Sequence, residues 1–172
     1  LLCSISLFAY SASFKRKLLI GNVLTSLLTA WSVAVLGLAT FYAVRNYPGI
    51  FTNVNNAKIF KFTILYSSFA FIISLIREAI KDIEDMEGDE KYGCTTMPIV
   101  WGVTCTKIYI AVLLGILIAA LLILQVYVLQ FNWHWAVVYG LLMVILPLGY
   151  IFYKLFKAKS VKNFHDLSSH TK

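Results

Sequence analysis

The residues best equipped for chemistry are carboxylates, and they are crowded into one place. The 172-residue chain carries eight acidic residues. All but Asp166 fall in the stretch "REAIKDIEDMEGDEKYG", residues 77–93. At about 100° per residue on a helix, Glu78, Asp82, Asp85 and Asp89 sit at about 0°, 40°, −20° and 20°, a stripe roughly 60° wide. Glu84, Glu87 and Glu90 point elsewhere. Neighbours three and four apart lie about 5–6 Å from one another. At an effective dielectric near 20, each such pair repels by roughly 3 kcal/mol, and full exposure to water cuts this below about 1. Arg77, Lys81 and Lys91 offset part of that repulsion, and the remainder favours a bound cation. Carboxylate oxygens suit hard ions, Mg²⁺ or Ca²⁺. The window lacks the D-x-[DN]-x-[DN]-G pattern of a dedicated Ca²⁺ loop. Mg²⁺ commonly takes one or two protein carboxylates and completes its shell with water and phosphate oxygens. Asp82, Asp85 and Asp89 are therefore suited to holding a diphosphate through Mg²⁺. Charge that develops on diphosphate oxygens as an allylic C–O bond ionises would be neutralised there. The same spacing also fits an acidic loop beside a membrane that holds no ligand.

The elements that must position these acids are membrane helices. Hydrophobic residues make up 60% of the chain and charged residues 13%, with a mean hydropathy of +0.79. A soluble domain is nearer half apolar and a quarter charged. Four apolar blocks, residues 23–42, 59–76, 108–129 and 135–156, are each roughly 20 residues long, about 30 Å as helix and so matched to a bilayer core. A fifth block, residues 1–14, reads as the end of a helix whose start is missing. No signal-peptide pattern is present. Twelve of the fifteen Lys and Arg fall on one side of the resulting topology, and only Arg45, Lys58 and Lys61 on the other. The positive-inside rule makes the crowded side, with the acidic stretch, cytoplasmic. The opposite loop "QFNWHW" brings Trp133 and Trp135 to an interfacial belt. Basic loops facing anionic lipid account for the net charge of +7, so no nucleic-acid partner is implied. Cys3, Cys94 and Cys105 form no C-x-x-C and no metal spacing with His, and read as reduced thiols. "NYPGIFTNVNN" reads as an outer loop turning at Pro48-Gly49. The expected fold class is an all-α, polytopic transmembrane helical bundle in one domain.

A family resemblance sharpens this. "REAIKDIEDMEGDEKYGCTTMPIVWG", residues 77–102, closely resembles the second Asp-rich motif of the UbiA superfamily of intramembrane prenyltransferases. The pattern D-x-x-D-x-x-x-D, then a basic or polar residue, a Gly and T-x-P, is matched by Asp82, Asp85, Asp89, Lys91, Gly93, Thr96 and Pro98. "YSASFKRKLLIGN", residues 10–22, resembles the Tyr…Leu-Lys-Arg…Gly-Asn segment between the family's fourth and fifth helices, with Phe14 in place of the usual Leu. The resemblance implies a nine-helix bundle with two Asp-rich motifs across a cytoplasmic mouth. On that map residues 1–172 run from late helix four to the approach to helix nine. They comprise about four full spans and one partial span. The first motif, N-D-x-x-D-x-x-x-D, does not occur in them, so the chain alone is expected to be inactive.

The implied reaction is Mg²⁺-dependent transfer of a prenyl group from an isoprenyl diphosphate donor to a lipophilic acceptor, with release of pyrophosphate. By resemblance Asp85 and Asp89 are Mg²⁺ ligands and Asp82 a third ligand or supporting carboxylate. Lys15, Arg16 and Lys91 are candidates for steadying diphosphate oxygens, with membrane anchoring as the alternative. Tyr10 and Asn22 are candidates to border the reaction centre, and Arg77 and Glu78 to form a local ion pair or meet the acceptor headgroup. The motif form is nearest the branch acting on geranylgeranylglyceryl phosphate. Prenylation of an aromatic quinone precursor by the same family is the alternative. A transporter or channel with an acidic vestibule is a further alternative, although the apolar blocks contain no Asp, Glu or Arg and only Lys61 and Lys154, each within three residues of a block end. CDP-alcohol phosphotransferases are excluded, because no D-G-x-x-A-R precedes the acids.

Overall fold

The structure is a computed structural model and describes residues 18–47, 55–132 and 134–157. The block at residues 1–14, the Pro48-Gly49 turn, Trp133 and the tail from residue 158 lie outside these. The described residues are helical without a strand: α1 (Leu18–Asn46), α2 (Asn56–Glu84), α3 (Met86–Lys91), α4 (Met97–Leu129), α5 (His134–Gly140) and α6 (Leu146–Lys157). Four stretches, Leu19–Asn46, Asn56–Glu84, Met97–Leu129 and His134–Lys157, are long and apolar enough to cross a membrane. These are the four full spans expected, and the protein is an integral, multi-pass membrane protein. Large side chains such as Leu36, Tyr66, Ile123 and Leu146 are exposed along them, as befits helices whose solvent is hydrocarbon.

The helices outrun their apolar blocks. At about 1.5 Å per residue, the 29 residues of α2 span about 43 Å, more than the ~30 Å core of a bilayer. The excess includes the segment from Arg77 to Glu84. At the other end the Asn55 side chain caps the helix, its Oδ1 accepting the Ala57 N–H at 2.9 Å. α4 begins at Met97 rather than near Ile108, so Lys107 lies within a helix and not in the preceding loop.

The chain divides into two compact units, the first including Leu19–Leu75 and the second Ile76–Lys172. In the first, α1 and most of α2 pack antiparallel. Thr29 meets Ser74, Gly37 meets the Thr63 side chain, and Phe41 meets Phe60 with ring centroids 6.2 Å apart. At Gly37 a Cβ would run into Thr63. Small residues that let helices approach are the usual means of packing in lipid, where no hydrophobic gain drives association.

In the second unit α4 packs on α5 and α6. Ile110, Leu114 and Leu117 of α4 are buried, as are Val137, Ile151 and Leu155. Gly140 gives the Gln125 side chain its space. Between α5 and α6, Leu141–Ile145 forms a π-helical turn. Pro147 follows it and has no N–H for the ladder, which accounts for the irregularity. The α4–α5 turn closes through Asn132 at φ 56°, a left-handed position that Asn tolerates.

Candidate active site

The acids occupy a helix end and a tightly wound loop. On the last turns of α2, Ala79, Ile80 and Ile83 are buried at 0%, 0% and 2% exposure. Arg77 and Lys81 are exposed on the far side, and Glu78 and Asp82 are half-buried at the border. The sequence pattern projected one helix through Asp89. The structure instead ends α2 at Glu84 and restarts it as α3, so the four-acid stripe is divided. Asp85 is the hinge, at φ −85°, ψ 0°. Its N–H makes a helical bond to Lys81 O at 2.9 Å, while its carbonyl accepts the N–H groups of Gly88 and Asp89, both at 2.9 Å. One residue thus closes one helix and opens the next. Its side chain makes no capping bond and is exposed.

The six-residue α3 ends in a Schellman motif. The Cys94 N–H bonds to Asp89 O at 2.9 Å and the Gly93 N–H to Glu90 O at 3.1 Å, with Gly93 at φ +66°. Glycine is needed there because the left-handed conformation penalises a Cβ. Asp89, half-buried, is therefore held at both ends of its peptide unit, with its N–H on Asp85 and its carbonyl on Cys94. Lys91 is exposed. The chain then extends to Thr96, the N-cap of α4, followed by Met97 and Pro98 in the first turn, where a missing N–H costs nothing. Thr96 is buried, and its hydroxyl has no hydrogen-bond partner.

Gly102 breaks α4 soon after it begins, at φ 81°, ψ 157°, a region open essentially to glycine alone. The buried Thr106 hydroxyl donates to the Gly102 carbonyl at 3.0 Å, tying the next turn to the break. Sequence reasoning reached Gly102 only as the end of a motif. The available signal was a glycine inside an otherwise continuous helical stretch.

The remaining predicted residues divide by position. Asn22 is buried at 8% exposure near the start of α1, in the first unit. Tyr10, Lys15 and Arg16 lie outside the described residues. Among the described residues, no three of His, Cys, Asp and Glu converge into a metal cage, so Asp82, Asp85 and Asp89 do not form a preassembled triad. The donor chemistry nevertheless fits a hard divalent ion. Seven carboxylates face three cations between Arg77 and Lys91, and Asp85 and Asp89 stand one turn apart. A Mg²⁺ ion that shares its shell with water and phosphate needs only one or two such groups. Buried hydroxyls inside the apolar spans, at Ser26 and Ser74, are a second feature, one that carries no charge and no sequence motif.

Comparison with known proteins identifies the family. The model of the UbiA prenyltransferase family matches residues 1–167. A digeranylgeranylglyceryl phosphate synthase from Methanosphaera stadtmanae is 31% identical over 174 residues, covering 100% of this chain and 56% of that protein. A protein of the same name from Sulfolobus acidocaldarius is 31% identical over 118 residues, covering 69% of this chain and 37% of that protein. One from Thermococcus onnurineus is 58% identical over 33 residues, covering 19% and 12%. The chain thus spans about half the length, or less, of these curated relatives. No solved structure matches it significantly. With a family model matched over nearly its whole length, and with the acidic loop that the motif describes, the chain belongs to the UbiA prenyltransferase family.

Proposed function

We propose that the protein, in its full-length form, transfers a prenyl group from an isoprenyl diphosphate to geranylgeranylglyceryl phosphate and releases pyrophosphate. The observation that carries this reading is the match, along the whole chain, to a relative named digeranylgeranylglyceryl phosphate synthase. An acceptor hydroxyl oxygen bonds to C1 of the prenyl group as the C1–O bond to the diphosphate breaks. The hydroxyl proton passes to water, and the electrons of the broken C1–O bond leave with pyrophosphate. The acidic loop supports this chemistry with an exposed Asp85 carboxylate and an Asp89 anchored through its backbone.

In this reading Asp85 and Asp89, with Asp82 in support, would hold Mg²⁺. When bound, the ion supplies positive charge against the charge that develops on the leaving diphosphate. Lys91 and the basic pair Lys15 and Arg16 would meet diphosphate oxygens, and Tyr10 and Asn22 would border the reacting carbon. Arg77 and Glu78 would face the acceptor headgroup or pair with each other. The short α3 and its Schellman closure reduce the conformational freedom of Asp89, so less entropy is lost when it takes a ligand. The positive-inside bias, with twelve of fifteen basic residues on the loop's side, supports a cytoplasmic position for it.

The test is turnover by the full-length protein in vesicles with geranylgeranyl diphosphate and a panel of acceptors. Preference for geranylgeranylglyceryl phosphate, lost in excess chelator and regained with Mg²⁺, is the expected result. Turnover of aromatic acids alone would reassign the acceptor. Turnover unaffected by chelator would remove the metal from the reading.

A further inference from the structure

In the first unit, α1 and α2 present a row of hydroxyls to one another inside the apolar span. The Ser74 hydroxyl donates to the Thr29 hydroxyl at 3.4 Å. Ser26 lies one turn before Thr29 and is fully buried, at 0% exposure, and Asn22, also buried, lies a turn before that. At about 100° per residue, Asn22, Ser26 and Thr29 share an arc of roughly 60° on α1, and Ser67 and Ser74 one of roughly 20° on α2.

Most hydroxyls along these helices are satisfied by their own backbone. Thr25, Ser32, Thr40, Thr63 and Ser68 each donate to the carbonyl four residues back, the usual solution in lipid. Ser26 and Ser67 do not, and their buried hydroxyl oxygens have no partner. An orphan hydroxyl in a hydrocarbon setting is unfavourable, and Ser26, one turn from an interhelical hydroxyl pair, points to a polar ligand; Ser67 lies about 10 Å along α2 from Ser74, toward the groove. The same helix faces continue into an apolar groove of about 350 Å³, bounded by Val33 and Thr40 on α1 and by Ile59 and Tyr66 on α2. A polar row leading into an apolar groove has the polarity of an amphiphile. The row carries no formal charge, so it suits the hydroxyl-bearing part of a headgroup rather than its phosphate. Hydroxyls both donate and accept.

We propose that Ser26, with Thr29 and Ser74, binds the glycerol hydroxyl portion of the lipid acceptor while its hydrocarbon chain lies in the adjoining groove. This rests on the acceptor class proposed above and makes Ser26 a determinant of acceptor recognition distinct from the acidic loop.

The test uses the full-length protein in vesicles and reads the KM of donor and acceptor separately. Ser26→Ala is expected to raise the acceptor KM roughly fivefold, in line with one lost hydrogen bond, and to leave the donor KM unchanged. Ser26→Thr, which keeps the hydroxyl, is expected to restore it. An unchanged acceptor KM, or equal changes in both, overturns the proposal. If Ser26→Ala fails to fold, Ser74→Ala is read in the same way. A second arm measures binding without turnover, using uncharged geranylgeranylglycerol and its O-methyl ether. Wild type is expected to prefer the free glycerol about fivefold, and Ser26→Ala to lose the preference. Equal binding of the two probes by wild type overturns the proposal. This arm still decides if the enzyme turns over no glyceryl phosphate acceptor, an outcome that would defeat the functional reading alone.

Discussion

Replacing Gly102 by alanine isolates the energetic role of a single backbone conformation. Gly102 sits at φ 81°, ψ 157°, and a Cβ built there meets nothing within 4 Å. Any cost of Gly102→Ala is therefore backbone strain rather than collision, about 1–3 kcal/mol for a conformation essentially restricted to glycine. Gly115, on the same helix, supplies the control, because a Cβ there also meets nothing within 4 Å and its backbone is helical. Gly115→Ala is expected to gain up to about 1 kcal/mol from helix propensity. The two substitutions make the same chemical change with no new contact, yet they should differ by roughly 1–4 kcal/mol. Equilibrium unfolding of the full-length protein in mixed micelles measures the difference. Turnover measured alongside shows whether α4 has straightened to escape the strain, since that would displace Thr96 and the loop before it. Equal stability and equal turnover in the two variants would refute the assignment of a glycine-dependent break at Gly102.

Other perturbations test neighbouring parts of the structure. Asp85→Asn and Asp89→Asn are each expected to lower turnover by at least about 10²-fold if their carboxylates oppose charge in the transition state. Because Asp85 is exposed and caps nothing, its variant should unfold with the wild-type midpoint. Gly37→Leu should separate α1 from α2 by colliding with Thr63. Adding Thr63→Ala should recover about 1–2 kcal/mol, read as a coupling energy in a double-mutant cycle of unfolding free energies. Tyr92, at 81% exposure, offers a topology probe. In a variant whose native cysteines are replaced, Tyr92→Cys should react with an impermeant maleimide only from the cytoplasmic face.

Much of the fold was legible from the order of residues. The four spans could be read because hydrophobic length is a one-dimensional property that a bilayer measures directly, and the four candidate helices contain the four apolar blocks. Gly93 and Pro98 entered only as matches to the family motif, and the structure gives their reasons, one taking a left-handed turn and the other a helix's first turn. The acidic stretch was identifiable as a unit because charge density needs no third dimension.

What the tertiary structure decided was angular and relational. Periodicity assumed one helix from Glu78 to Asp89, yet the chain turns at Asp85, where helical and bridge conformations differ by little and the restart of α3 settles the choice. Gly102 was visible as a letter, but its positive φ was not. The hydroxyl pair Thr29 and Ser74 lies 45 residues apart in sequence, and no local pattern distinguishes them from hydroxyls that bond their own backbone. Sequence alone determined which residues enter the membrane and where the charge collects, because those follow from local composition. Only the folded chain decided which polar atoms find partners, because that depends on where two helices meet.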